Sequence, residues 1–286
     1  MTSRWPVVFA LLFPALLVML VSGVVPAAFI GFYSLHDTFA GNSFVWVGPQ
    51  WYISVLSSPD FWWALARSLG FSALVLLVEV PLGIYIALRL PPSGALASFY
   101  VVLLAIPLLA PLIVVGYLWK MLTTPGIGLL DALFAAGGIT YDMNNPVVVW
   151  ATLLLMDVWH WTSLVVLLCY AGLRAIPEAY YQAARIDGAS RWVVFRHIQL
   201  PRLRLVLLIA ILLRLMDSFM IYAEAYVVTR GGPGVSTTFL SHELIQTATI
   251  QFDLGEGGAM SIIYLVIVMV LSWLFFRAIV PKRAAA

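Results

Sequence analysis

Residues 69–90, LGFSALVLLVEVPLGIYIALRL, decide what kind of fold this chain adopts. The stretch carries a single acid, Glu79, and a single base, Arg89, which stands next to its end. A helix of about 20 predominantly apolar residues is what a hydrocarbon layer ~30 Å thick requires. Five further stretches qualify, at roughly 7–35, 98–121, 147–173, 203–228 and 259–280, which makes six. The whole chain of 286 residues has the same cast, 63% hydrophobic and 10% charged. Soluble domains hold about 45–50% apolar and about 25% charged residues, so the main solvent here is lipid. The expected fold is all-α: one polytopic membrane domain over residues 1–286 with six transmembrane helices. Helix is the expected spanning form because each backbone N–H and C=O must be satisfied within the segment. Pro14, Pro26, Pro81, Pro107 and Pro111 fall inside these spans, as kinks that neighbouring helices of a bundle support.

Charge sets the expected direction. With a cytoplasmic N-terminus, that side holds Arg4, Arg89, Arg174, Arg185, Arg191, Arg196, Arg202, Arg204, Arg277, Lys282 and Arg283. The other side holds only Arg67, Lys120 and Arg230. Eleven against three is a positive-inside bias that places both termini in the cytoplasm and the protein in the cell's inner membrane. The first span is about twice the length of a signal-peptide apolar core and is read as a span. Lysine occurs only at Lys120 and Lys282, and the arginines gather at loops, so there is no nucleic-acid footprint. The lone Cys169 gives no disulfide framework. Trp46, Trp51, Tyr52, Phe61, Trp62 and Trp63 crowd the first outer loop. They suit an interfacial aromatic belt, with a docking surface for an external partner as the second reading.

The longest inward loop, residues 174–202, reads RAIPEAYYQAARIDGASRWVVFRHIQLPR. Pro177 suits a first helical turn, and Glu178 complements the helix N-terminus. Tyr180, Ala183 and Ala184 recur with helical spacing as one stripe. Asp187-Gly188 ends that helix, since glycine takes the left-handed conformation readily. Ser190 can cap a second short helix bearing Trp192, Phe195 and Ile198, closed by Pro201. Two short amphipathic helices joined by a glycine turn, among arginines, make a protein-docking knob. The same features suit a surface lying on anionic headgroups, and composition does not separate the two.

The residues of this loop resemble the EAA motif of ABC importer permeases. Ala183, Ala184, Asp187, Gly188, Ala189, Phe195, Ile198, Leu200 and Pro201 match in register, and Gln182 stands where the family has glutamate. Residues 44–68, 157–184, 213–219 and 228–234 extend the likeness over nearly the whole chain, toward permeases of the maltose and glycerol-phosphate type. The resemblance implies a coupling helix seated in a groove of a separate ATPase. It also implies a complex with a second permease, a different chain in preference to a second copy, with two ATPase subunits and a periplasmic or lipid-anchored solute-binding protein. ATP and Mg would lie on the ATPase, with no cofactor in this chain. Gln182 keeps the length of glutamate without its charge, which implies a weaker or re-paired contact. The implied solute is a sugar or polyol, and residues 217–234 lean toward glycerol or polyols.

Ionisable groups at membrane depth mark function by default. The spans contain Glu79, Asp157, Arg214, Asp217 and Glu224. Arg214 and Asp217 lie three apart on one helical face and are expected to form a structural ion pair that includes Asp157. Glu79 precedes Pro81 and is expected near that kink. Glu224 has no oppositely charged helical neighbour and is the better candidate for a cavity. Hydroxylated solutes call for aromatic faces and acceptor side chains, which Trp159, His160, Trp161, Tyr222, Glu224 and Tyr226 supply. A lone histidine such as His160 more often serves in packing. No nucleophile triad or zinc-type spacing is visible, so neither catalytic nor metal residues are expected. There is also no glycine-rich loop ending in Lys-Ser or Lys-Thr, the mark of an ATPase. The rival reading, an ion-coupled secondary transporter, calls for inverted halves with discontinuous helices, a symmetry this sequence does not display.

Overall fold

The computed structural model describes residues 5–39, 43–138 and 140–279. Arg4, Lys282 and Arg283, counted in the charge bias, and Val280, the end of the sixth expected span, lie outside the described residues. The helices run in chain order: α1 (Trp5–Met19), α2 (Val25–Tyr33), α3 (Gln50–Ser57), α4 (Pro59–Arg89), α5 (Ala95–Leu109), α6 (Leu112–Thr123) and α7 (Leu129–Ala136). They continue as α8 (Pro146–Arg174), α9 (Glu178–Ile186), α10 (Arg191–Val194), α11 (Leu200–Phe219), α12 (Ala223–Thr229), α13 (Leu240–Ile245) and α14 (Leu254–Ile279). Wider π-helical turns sit at Leu20–Val24, Phe195–Gln199 and Gln246–Ile250. Among the described residues four helical stretches are long and apolar enough to cross a membrane: Leu11–Tyr33, Pro59–Arg89, Pro146–Arg174 and Leu254–Arg277. Two bent pairs raise the number to six if each is one span.

One bent pair corrects the third expected span. Residues 95–123 do not form a continuous helix, because α5 and α6 meet at 90°. The break falls at Ala110, whose backbone is extended (φ −73°, ψ 131°) immediately before Pro111. Proline's ring disfavours the helical region for the residue before it, and at Ala110 that preference is realised, so the span is broken at Pro111 where a kink was expected. At 1.5 Å per residue, α5 is about 22 Å and α6 about 18 Å long, and neither alone crosses ~30 Å. The second bent pair joins residues 191–219 to 223–229 at 43°, through Tyr222 (φ −147°, ψ −66°).

The chain divides into two compact units, Met1–Trp62 with Glu243–Val268, and Trp63–His242 with Met269–Ala286. In the first unit the all-helical expectation needs a second correction. Strands β1 (His36–Phe39) and β2 (Ser43–Trp46) pair antiparallel, with His36 opposite Trp46 and Thr38 opposite Phe44. Aromatic side chains and threonine favour such a pleated, half-buried surface. Phe32 stacks on His36 at 4.0 Å, and His36 meets Trp46 at 5.1 Å. Trp51 Nε1 donates to the His36 carbonyl (3.1 Å), and Tyr52 donates to Ser34 Oγ (2.7 Å). Most of the outer aromatic residues therefore belong to β2, α3 and the first turn of α4. α4 begins ten residues earlier than the apolar run, since Pro59 and Asp60 form a helix-start signal.

In the second unit α8 is the central post. Asn145 caps it by accepting from the Val147 N–H (2.9 Å), with Pro146 in the first turn. Val149, Leu153 and Met156 pack with Phe71, Val75, Val115 and Phe239. Val165, Val166 and Cys169 pack with Ala87, Leu203 and Leu207. Between these apolar clusters α8 buries a polar layer of Asp157, His160, Thr162 and Ser163. Glycines let the helices close. A Cβ on Gly83 would stand 2.5 Å from Val165 Cγ1, and one on Gly116 would stand 2.9 Å from the Glu224 carbonyl and from Val227 Cβ.

The substitution Gly116→Leu is therefore expected to destabilise the α6–α12 contact by about 1–3 kcal/mol, the usual range for overpacking. Thermal melting in detergent reads this out. Gly31→Ala, where a Cβ meets nothing within 4 Å, should leave the melting temperature nearly unchanged.

Candidate functional site

The loop between α8 and α11 is built on two backbone devices. At the end of α9 the Asp187 N–H donates to the Ala183 carbonyl (2.9 Å), and the Ala189 N–H donates to that of Ala184 (2.9 Å). Gly188 between them holds φ +65°, a conformation that a side chain resists. Ser190 Oγ then accepts from the Val193 N–H (3.4 Å) and starts α10. The second short helix is not separate, however. Through the π-helical turn at Phe195–Gln199, residues 191–219 run on into α11, with Pro201 at the start of that helix. A proline removes one ladder bond, and a wider turn immediately before it accommodates the mismatch.

Of the motif side chains, Gln182, Ala183, Asp187, Gly188 and Pro201 are exposed and Ala184 is buried, while Ala189, Phe195, Ile198 and Leu200 are half-buried. Around them the loop presents bare apolar groups. Ile186 is 87% and Trp192 67% exposed, and Trp192 lies against Phe195 (5.5 Å). Tyr180 lies beneath the Arg202 guanidinium at 3.7 Å, and Glu178 pairs with Arg185 on the surface. Ile186 was not among the expected knob residues; its place next to the breaking Asp187-Gly188 was the available signal.

At mid-bundle a second constellation centres on Arg214, which is fully buried. Its Nε donates to Glu79 Oε2 (2.6 Å) and its Nη1 to Asp217 Oδ2 (2.6 Å). Its Nη2 donates to Asp157 Oδ2 (2.5 Å) and to Glu79 Oε1 (3.2 Å). The Trp161 ring lies against the guanidinium at 4.7 Å. One planar fork thus joins α4, α8 and α11, as guanidinium geometry permits and a lysine could not. Asp157 and Asp217 are both among Arg214's partners, whereas Glu79 was not foreseen in this role. Its partner lies on another helix, beyond any spacing argument; the signal was that a buried carboxylate requires a cation.

The structure scatters the solute-contact candidates. Trp159 is 42% exposed and meets Trp119 edge-on at 6.3 Å. His160 is buried with its Nδ1 unpartnered, and its ring meets Trp161 at 4.8 Å. Tyr222 and Tyr226 stack at 5.4 Å, and both meet His242, a residue absent from the expected set, at 5.9 and 5.3 Å. Burial holds the His242 imidazole below its ordinary pKa. Glu224 lies two residues from each tyrosine, on the other side of α12. It is 4% exposed and its Oε2 has no hydrogen-bond partner. Two groups result: a Tyr222–Tyr226–His242 ring cluster, and Glu224, buried on α12 without a partner for that oxygen.

Apolar helices, a buried ionic hub and an exposed loop between two bundle helices are the features of a polytopic membrane protein. Residues 79–284 match the family profile described as binding-protein-dependent transport system inner membrane component, and the chain belongs to that family. It is similar to the trehalose/maltose transport system permease protein MalF of Thermococcus litoralis, 33% identical over 269 residues that cover 91% of this chain and 89% of the relative. It is also similar to the sulfoquinovosyl glycerol transport system permease protein SmoG of Agrobacterium fabrum, 29% identical across 95% of this chain and 90% of that one. In fold it resembles a chain of the crystallised bacterial ABC transporter that imports the acidic polysaccharide alginate. The TM-score is 0.82 at 19% identity, over 99% of this chain and 97% of that chain. The family read from the loop motif is thus the family to which the chain belongs.

Replacing Arg214 by methionine strands three carboxylates and is expected to destabilise the bundle by about 3–5 kcal/mol, read as lost folded yield and a lowered melting temperature. Asp217→Asn should be the mildest of the carboxylate changes, because only the Asp217 side chain keeps substantial exposure, 37%. Equal losses at Glu79, Asp157 and Asp217 would contradict this ordering.

Proposed function

We propose that this chain is one of two permease subunits of an ATP-driven importer that carries a neutral sugar or polyol across the inner membrane by alternating access. Six spans, with the broken pairs 95–123 and 191–229 as the third and fifth, put both termini and the 174–202 loop in the cytoplasm. Two ATPase subunits hold ATP and Mg, and the loop seats on one of them through Ile186, Trp192 and the turn at Asp187–Gly188. A binding protein delivers the solute to the opposite mouth. The observation that carries this reading is the exposed apolar knob, held by a left-handed glycine, within a loop that resembles the EAA motif. The importer class draws support from relatives described as trehalose/maltose and sulfoquinovosyl glycerol permeases. A neutral solute is favoured because Arg214, the arginine of the described spans that lies at mid-bundle, has its donors taken by Glu79, Asp157 and Asp217 and leaves no free cation for an anion. Glycerol and simple polyols stay within this class.

The test uses the complete transporter in proteoliposomes. Gly188→Val places a β-branched side chain at φ +65°, a conformation that disfavours L residues by about 1–2 kcal/mol. It should lower both solute uptake and solute-stimulated ATP hydrolysis by roughly tenfold while assembly persists. Uptake equal to the parent's would end the coupling assignment. Glu224→Ala should instead raise the half-saturating concentration across a panel of trehalose, maltose and glycerol, with complex yield unchanged. A defect in yield alone would make Glu224 structural.

A further inference from the structure

The start of α11 forms one wall of an open groove of about 580 Å³. Arg196 and His197, from the π-helical turn, and Arg204, from α11, supply its polar end, while Leu207 and Ile211 line the rest together with Leu200. Positions 200, 204, 207 and 211 follow helical spacing and share one face. From Arg204 to Ile211 the helix rises about 10 Å, so the wall changes from cationic to apolar within that depth. A phospholipid changes from phosphate to acyl chain over a similar depth, since headgroup regions add about 5–8 Å to each side of the hydrocarbon core.

The charges at this groove are uncommitted. Arg185 is paired with Glu178, and Arg202 lies over Tyr180. Arg196 and Arg204 pair with no carboxylate among the described residues, and no carboxylate lines the groove. Cations with no protein partner, beside an apolar channel, complement a ligand that is anionic at one end and aliphatic at the other. We propose that this groove holds one anionic phospholipid of the adjoining leaflet. Its phosphate lies between Arg196 and Arg204 with His197 at the rim, and its first acyl carbons lie along Leu207 and Ile211. This rests on the proposed placement of the loop at the cytoplasmic surface, where anionic lipids attract basic clusters. It connects the bilayer to the turn through which the 174–202 loop enters α11. Free phosphate would satisfy the arginines but leave the apolar wall bare.

The complete transporter, purified in detergent, is titrated with short-chain phosphatidylglycerol, short-chain phosphatidylcholine or inorganic phosphate, and binding is read by native mass spectrometry and thermal melting. Phosphatidylglycerol should bind and raise the melting temperature, phosphatidylcholine should bind far more weakly, and phosphate alone should do neither. R196Q/R204Q should raise the half-saturating phosphatidylglycerol concentration by roughly tenfold or more, two surface cations being lost. R202Q, outside the groove, should not. If the double variant does not assemble, I211W, which fills the apolar end, should weaken phosphatidylglycerol binding to a similar degree. Equal binding of the two lipids, saturation by phosphate alone, or unchanged binding by the variant that assembles would overturn the proposal. None of these readouts measures uptake, so failure here is distinct from failure of the transport reading.

Discussion

A guanidinium that can never shed its charge, placed where no water reaches it, is the constraint around which the second unit is arranged. Arg214 is fully buried and distributes its donors over Glu79, Asp157 and Asp217. Each of those carboxylates would be costly alone in low dielectric, and each is tolerable because the fork faces it. The three partners lie on α4, α8 and α11, so the network sets the rotation of three helices about their axes. A helix turned by one residue, about 100°, would withdraw its carboxylate altogether. Apolar packing in lipid offers weak orientational preference, because tails and leucines are alike. Charge pairing supplies the register that packing leaves loose.

Glycines then let the register be reached. Gly83 brings α4 against Val165 of α8, and Gly172 brings α8 against Leu203 of α11. Both contacts lie on the side of the network where α8 carries Val165, Val166 and Cys169. On the other side Gly116 brings α6 under the backbone of α12. The polar layer is thus sealed by apolar clusters above and below. Within it three carboxylates face one arginine, and that surplus of acceptors is why the layer reads as more than a structural clamp.

What could be read from the sequence follows from what each signal encodes. Long apolar runs report the solvent directly, so residues 69–89, 147–173 and 259–279 all fall inside helices, although α4 starts ten residues before its apolar run. The loop motif reports local chemistry, and its glycine turn stands where Asp187-Gly188 put it. Three things escaped for one reason, that they depend on partners distant in the chain. The Glu79–Arg214 contact joins residues on different helices. The Tyr222–Tyr226–His242 cluster joins α12 to α13. The right angle at Ala110–Pro111 depends on what α6 packs against, since Pro81 and Pro14 remain inside continuous helices. The β1–β2 hairpin and the early start of α4 are different. Ser58-Pro59-Asp60 and the alternating aromatic residues carried both signals, which hydrophobicity overshadowed.

The loop and the ionic hub are parts of one helical path. Residues 191–219 form a continuous stretch that begins beside the exposed Trp192 and ends two residues after Asp217, with a single π-helical turn near its base. A displacement applied at the Asp187–Gly188 turn passes to α10 through Ser190 and its cap. It then meets the widened turn, where the helical hydrogen-bond pattern is altered and bending is easiest. Beyond that turn α11 is anchored by Arg214 to α4 and α8, so it resists translation. Arg214, five residues from the end of α11, holds the far part of that helix to α4 and α8, so the π-helical base is the part left free to bend. The exposed loop at one end and the Tyr222–Tyr226–His242 cluster beyond the 43° bend are thereby joined by one helical path.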